Sequence, residues 1–150
     1  MADLITADLV DLNLAAPDRH AATRSIAERL QAAGRVTDID GFLADVRARE
    51  EQMPTGLEGG IGIPHARSAH VTEPTLGFGR STAGIDFGAE DGPAHLIFLI
   101  AAPEGGGSEH MTILAKLARR LVHRSFRESL SNAVDPQDVV DLINKEVLGR

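Results

Sequence analysis

The sequence predicts an α/β fold, with a central β-sheet flanked by helices on both sides, in a single domain over residues 1–150. Three observations carry this. Helical periodicity comes first, strand-like runs follow, and helical periodicity returns, an order that packs helices on a sheet. Residues 94–101 (AHLIFLIA) are continuously apolar over strand length, as a strand covered on both faces must be. A chain of 150 residues with 43% hydrophobic content suits one ordinary core.

Each element has its own signal. Pro17 and Asp18 open a helix over residues 18–34 (DRHAATRSIAERLQAAG), where Ala22, Ile26, Leu30 and Ala33 share one face and Gly34 is the stop. Asp38 or Asp40 starts a second helix through Arg49, with Phe42, Leu43 and Val46 inward. Residues 50–60 (EEQMPTGLEGG) read as a loop from their proline and glycines. Residues 61–65 form a short strand that ends on His65. Residues 75–81 (TLGFGRS) form a strand that places Leu76, Phe78 and Arg80 on one face. A short strand and turn (GIDFGAEDGP, residues 84–93) leads into the apolar run. After a glycine-rich loop (PEGGGSEH, residues 103–110), Ser108 is the candidate N-cap of a helix. Its apolar stripe is Ile113, Leu114, Leu117, Leu121 and Val122, and Arg119, Arg120 and Arg124 sit in its last turns, where the dipole favours cations. A short helix over 126–133 and a last helix over 135–148, opened by DPQD, close the chain.

Composition removes several functions. The 15 basic and 22 acidic residues leave a net charge of −7, which is unsuited to phosphate backbones. Five Phe with no Trp or Tyr leave little for base stacking, so nucleic acid is not an expected partner. The absence of cysteine excludes disulfides, thiolate metal sites and a cysteine nucleophile. The N-terminus MADLITADLV lacks the basic region of a signal peptide. No apolar run reaches spanning length, so no membrane insertion is expected and the cytoplasm is the expected compartment. The chain ends at KEVLGR, which leaves open whether it stands alone or forms part of a longer enzyme.

Chemistry concentrates in the six histidines. His20 and His123, among charged neighbours in helical segments, read as surface residues; His70 lies in a loop, and His95 reads as a strand-edge residue. His65 stands apart because it follows Pro64, which fixes its own φ and holds Ile63 extended, so the ring is presented stiffly. His110 falls in the first turn of a helix, where unpaired N–H groups attract anions. A rigid imidazole and an imidazole at an anion-binding helix start suit a phosphoryl group carried on nitrogen. Two unrelated loop histidines fit the same residues. The spacing of His65, His70, His95 and His110 matches no zinc pattern, and no nucleophile elbow occurs, so neither a metal nor a cofactor is expected. Arg49, read by itself, is a cation at a helix C-terminus.

Taken together, residues 48–56 (AREEQMPTG), 59–68 (GGIGIPHARS), 74–103 and 109–122 (EHMTILAKLARRLV) resemble the fructose/mannitol-type enzyme IIA domain of the bacterial phosphoenolpyruvate-dependent sugar phosphotransferase system. The resemblance covers nearly the whole chain, and PTLGFGR and PEGGG are most similar to actinobacterial fructose-type members. It implies a mixed sheet flanked by helices. It also implies that His65 is the phosphorylated histidine, bonded to phosphorus through Nε2 while a backbone carbonyl holds Nδ1. His110 matches the second active-site histidine, Arg49 and Glu50 the Arg-Glu pair, and Thr55 the threonine of the Thr-Gly turn. Arg49 and His110, with the N–H groups of the 108–111 helix start, are expected to stabilise the moving charge, and Thr55 to donate to a phosphoryl oxygen. Ala66, where many members have glycine, and His95, where an acid or small residue is expected, depart from the pattern.

The partners implied are HPr as donor and a IIB domain as acceptor, with the membrane IIC domain downstream and fructose the expected sugar. The docking face is expected to be apolar around His65 with charges at its rim, and steered by a basic patch on the partner. The alternative is a regulatory IIA-like module, of the nitrogen-related or regulator-associated kind, whose phosphorylation state controls partner proteins. A further alternative is an α/β ligand-binding domain with incidental histidines.

Overall fold

The computed structural model describes residues 3–105 and 109–149, and the side chains of Glu109 and His110 fall outside that description. The strands are β1 (Val10–Asp11), β2 (Gly56–Leu57), β3 (Ile61–Gly62), β4 (His65–Ser68), β5 (Thr75–Ile85) and β6 (Ala94–Pro103). The helices are α1 (Arg19–Ala32), α2 (Ile39–Gln52), α3 (Glu109–Leu121), α4 (Arg124–Ser131) and α5 (Pro136–Glu146). The strands form one six-stranded sheet in the order β1-β5-β6-β3-β2, with β4 also pairing β6. The sheet is mixed: β5–β6 and β2–β3 are antiparallel, whereas β1–β5, β3–β6 and β4–β6 are parallel.

Strand β6 is the spine, and its side chains alternate between two cores. Leu96, Phe98 and Ile100 pack on one face with Leu117, Phe126, Leu130, Val139 and Ile143 of α3, α4 and α5. Ile97, Leu99 and Ala101 pack on the other with Ile26, Leu30, Phe42 and Val46 of α1 and α2. The predicted apolar run is therefore buried on both faces, apart from the exposed His95 near its start. Phe78 pairs directly with Phe98 across the antiparallel ladder, and their rings lie 5.0 Å apart, tilted by 57°. On the opposite face of β5, Gly77 lets α1 close on bare backbone: a Cβ there would stand 2.6 Å from Ile26 Cγ2.

Helix starts follow the sequence closely. Asp18 accepts from the Ala21 N–H, Asp38 from the Gly41 N–H, and Asp135 and Asp138 form a reciprocal capping box around Pro136. Gly34 follows the end of α1 at φ 77°.

Several boundaries differ from expectation. α2 continues past Arg49 to Gln52, so residues 50–60 are part helix and part β2, not all loop. The strand expected over 75–81 extends to Ile85 and takes in the first two residues of the next run, because β6 offers Ile85 a partner in Ala94. β1, which the residue pattern does not announce, exists because β5 supplies a parallel edge. α3 ends at Leu121, which leaves Val122 exposed and puts Arg124 at the start of α4 instead of in the last turn of α3. α4 is shifted two residues earlier than expected, and α5 starts at Pro136, after its Asp135 cap, and stops at Glu146. Ser108, the expected N-cap of α3, lies outside the described residues. Among the described residues no helix is long and apolar enough to cross a membrane.

The largest difference lies at residues 61–65. They are not one strand ending on His65; β3 stops at Gly62 and His65 begins β4. Both pieces keep the same offset along β6, with Ile61 opposite Leu96 and His65 opposite Ile100. Pro64 causes the break: it has no N–H to give the ladder, although its carbonyl still accepts from the Ile100 N–H at 3.0 Å.

Two stability changes are expected. Phe98→Ala removes the buried ring that pairs with Phe78 across β5 and β6, and urea unfolding should read a loss of about 3–5 kcal/mol. Gly62→Ala would bring a Cβ within 2.8 Å of the buried Phe87 ring. A loss of about 1–3 kcal/mol is expected from such overpacking, measured in the same way; an unchanged midpoint would show that Phe87 yields freely.

Candidate active site

The site begins at Ile63. The N–H and C=O of an extended residue project to the same edge of its strand. Here the Ile63 N–H donates to the Thr55 carbonyl at 3.1 Å, just before β2. No strand lies where the Ile63 carbonyl points, and His65 folds back to meet it: Nδ1 stands 2.8 Å from that oxygen. A carbonyl can only accept, so Nδ1 carries the proton. In the neutral ring Nε2 then holds the lone pair, and the tautomer is set by backbone that cannot titrate.

His65 is half-buried and lines a surface depression of about 490 Å³ between α2, β4 and the first turns of α3. Its walls are Asp45, Ala48, Arg49 and Gln52 from α2, Ala66 and Arg67 from β4, and Met111 and Leu114 from α3. Arg49 is thus brought to His65. It also donates to the Met53 carbonyl at 3.2 Å, so it caps the last turn of α2 as well. The backbone of His110 lies in the first turn of α3, next to Met111 on this wall, and its side chain is outside the described residues.

Two wall residues carry charge that the sequence reading left unused. Arg67 lies two residues beyond His65 on β4, and strand alternation puts the two on one side; the His-x-Arg spacing is the signal. Asp45 lies one helical turn before Arg49, on the same stripe of α2, and accepts from the buried Ser68 hydroxyl at 2.6 Å. The wall sets these charges among the apolar Ala48, Ala66, Met111 and Leu114. For an oxyanion in this depression the guanidiniums of Arg49 and Arg67 are the countercharge, whereas Asp45 is of like sign.

Glu50 and Thr55 meet each other instead of the depression. Both are buried, at 6% and 7% exposure. Thr55 donates its hydroxyl to Glu50 Oε1 at 2.6 Å and its N–H to Oε2 at 2.8 Å. In this arrangement the single Thr55 hydroxyl proton is committed to Glu50, where the resemblance implied a bond to a phosphoryl oxygen. Arg19 completes the carboxylate's partners, with Nη1 3.2 Å from Oε2.

The other histidines lie elsewhere. His20 and His123 are exposed. His70 packs against Gly41, and the exposed His95 has Nδ1 2.9 Å from the Ser81 carbonyl. Among the described residues no group of three or more His, Cys, Asp or Glu is placed to hold a metal ion.

Comparison with known proteins gives the chain its relatives. The family described as "Phosphoenolpyruvate-dependent sugar phosphotransferase system, EIIA 2" matches residues 3–146. The fructose-specific EIIA component of Haloferax volcanii is 46% identical over 116 residues, covering 77% of this chain and 75% of its own. The fructose-specific EIIABC component of Bacillus subtilis is 35% identical over 144 residues. That match takes in 95% of this chain, which spans only 23% of the Bacillus protein's length. Among solved structures, the nitrogen regulatory protein IIA-Ntr of Neisseria meningitidis superposes with a TM-score of 0.85 at 28% identity, over 93% of this chain and 96% of its own. The fold, the extent of the family match and the likeness to fructose-specific relatives agree: the chain belongs to the type-2 EIIA family of the phosphoenolpyruvate-dependent sugar phosphotransferase system.

Proposed function

We propose that the domain is a cytoplasmic phosphocarrier in which His65 takes a phosphoryl group from phospho-HPr and passes it to a IIB domain, on the way to a sugar, fructose, entering through IIC. The observation that carries this is the Nδ1–H of His65 held on the Ile63 carbonyl. It leaves the Nε2 lone pair as the nucleophile, in a depression that also holds a guanidinium. The Nε2 lone pair forms a bond to phosphorus while the donor's own P–N bond breaks. The electron pair of that bond returns to the donor ring, so the step moves no proton.

Phosphoryl transfer needs positioning and charge stabilisation more than covalent assistance. Arg49 supplies positive charge beside His65, with the N–H groups at the start of α3 and the His110 ring as further donors. The fructose reading draws on the Haloferax and Bacillus relatives, and the EIIABC name of the latter joins the three components in one protein. The likeness to the nitrogen regulatory IIA-Ntr supports a second reading, a phosphorylation-dependent regulator. Sugar-dependent discharge of the phosphorylated domain by IIB separates the two: discharge only in the presence of IIB and fructose supports transport.

Incubation with enzyme I, HPr and radiolabelled phosphoenolpyruvate should give acid-labile, base-stable label on the wild type and none on His65→Ala. Label on His65→Ala would overturn the assignment. Arg49→Ala and His110→Ala should keep the fold and slow uptake by about 10²–10³-fold, as the loss of one charge-stabilising donor does. Because the chain carries a net charge of −7, raising the salt concentration should slow transfer from HPr.

A further inference from the structure

Arg19 lies in the first turn of α1, far along the chain from His65, and the depression around His65 does not include it. Its guanidinium is nonetheless heavily engaged. Nη1 meets Glu50 Oε2 at 3.2 Å, Nε donates to the Asp86 carbonyl at 3.0 Å, and Cζ stands 6.0 Å from the centre of the Phe87 ring. Glu50 is a buried carboxylate, and such a group is tolerated only when its oxygens are paired. Its partners are Arg19 and the N–H and hydroxyl of Thr55.

Followed outward, these contacts run without a gap to the reacting ring. Arg19 holds Glu50, Glu50 holds Thr55 at two points, the Thr55 carbonyl holds the Ile63 N–H, and the Ile63 carbonyl holds His65 Nδ1. A second path is steric: Arg19 covers Phe87, whose ring leaves no room for a side chain at Gly62. Thr55 and Ile63 each enter this chain through the N–H of one peptide group and leave through the C=O of the next. The chain therefore transmits position, not polarisation of a single amide.

We propose that Arg19 is a remote positioning residue for phosphoryl transfer, acting through Glu50, Thr55 and Ile63 to hold the His65 ring in its Nδ1–H tautomer. The proposal rests on His65 as the phosphoryl acceptor and assigns Glu50 and Thr55 to this support instead of to contact with the phosphoryl group. Without it the Ile63 carbonyl drifts, the ring samples both tautomers, and Nε2 is protonated and inert for part of the time. A shift of about 1 Å at such a distance from the chemistry can slow a reaction by about 10²-fold.

The test uses ¹⁵N-histidine-labelled protein, with the tautomer of neutral His65 read by long-range ¹⁵N–¹H correlation and the rate of phosphoryl uptake from phospho-HPr measured alongside. The variants are Arg19→Gln, which alters a side chain only 23% exposed but at the surface, and Thr55→Val, which keeps volume and the N–H bond. Both should mix the tautomers and slow uptake by about tenfold to 10²-fold, whereas Thr55→Ser, which keeps the hydroxyl, should restore both readings. Glu50→Gln should behave like Thr55→Val if it folds; if it does not, the other two decide. Folded Arg19→Gln and Thr55→Val proteins with a wild-type tautomer signal and wild-type uptake would overturn the proposal and reduce the cluster to a structural staple. If the wild type takes no label at His65, the phosphocarrier reading fails, and the tautomer spectra still decide whether Arg19 positions the ring.

Discussion

The interrupted pairing of residues 61–68 with β6 is the constraint on which the rest depends. β6 is buried on both faces and paired along both edges, so it is the most fixed element of the sheet. Because β3 and β4 share one offset along it, the break between them at Ile63 and Pro64 has nowhere to relax. Ile63 turns its N–H and its carbonyl away from β6, the N–H to Thr55, and the carbonyl becomes the acceptor for His65 Nδ1. An imidazole oriented by a side chain would depend on that side chain's rotamer and protonation. Here both are replaced by a backbone carbonyl, whose residue is tied through its N–H to Thr55.

That arrangement separates support from chemistry. α2 shows the division within one turn. Arg49 points to the depression beside His65, while the next residue, Glu50, is buried against Thr55 and Arg19. Adjacent residues on a helix lie about 100° apart, so an Arg-Glu pair at the end of α2 can serve the reacting surface with one side chain and the scaffold with the other. The same alternation operates on β4, where His65 and Arg67 face outward between the buried Ala66 and Ser68. The wall that results sets Arg49 and Arg67 beside Asp45, so the proposed phosphoryl site has two guanidiniums and one carboxylate at its edge.

Most of the fold was legible because its signals are local. The aspartate caps, the glycine after α1 and the apolar length of β6 each act within a few residues, and each appears where the pattern put it. β1 and the extension of β5 were not legible, since a two-residue strand and a glycine-containing run become strands only when a partner edge lies beside them. In the site, the prominence of His65 was readable from Pro64, and Arg49 from the family pattern. Arg67 and Asp45 had spacing signals that chemistry alone did not single out. Arg19 had none, because its ion pair with Glu50 joins positions 31 residues apart on different helices.

The sequence by itself determined the mixed sheet between helices, the stiff presentation of His65 and the family to which the chain belongs. Tertiary structure alone decided that His65 opens a strand instead of closing one, that the backbone carbonyl expected at its Nδ1 is that of Ile63, and that Thr55 turns inward to Glu50. The physical reason is the range of the interactions. A proline or a cap acts on its neighbours, whereas a strand register and a buried carboxylate find their partners only once distant segments have been packed together.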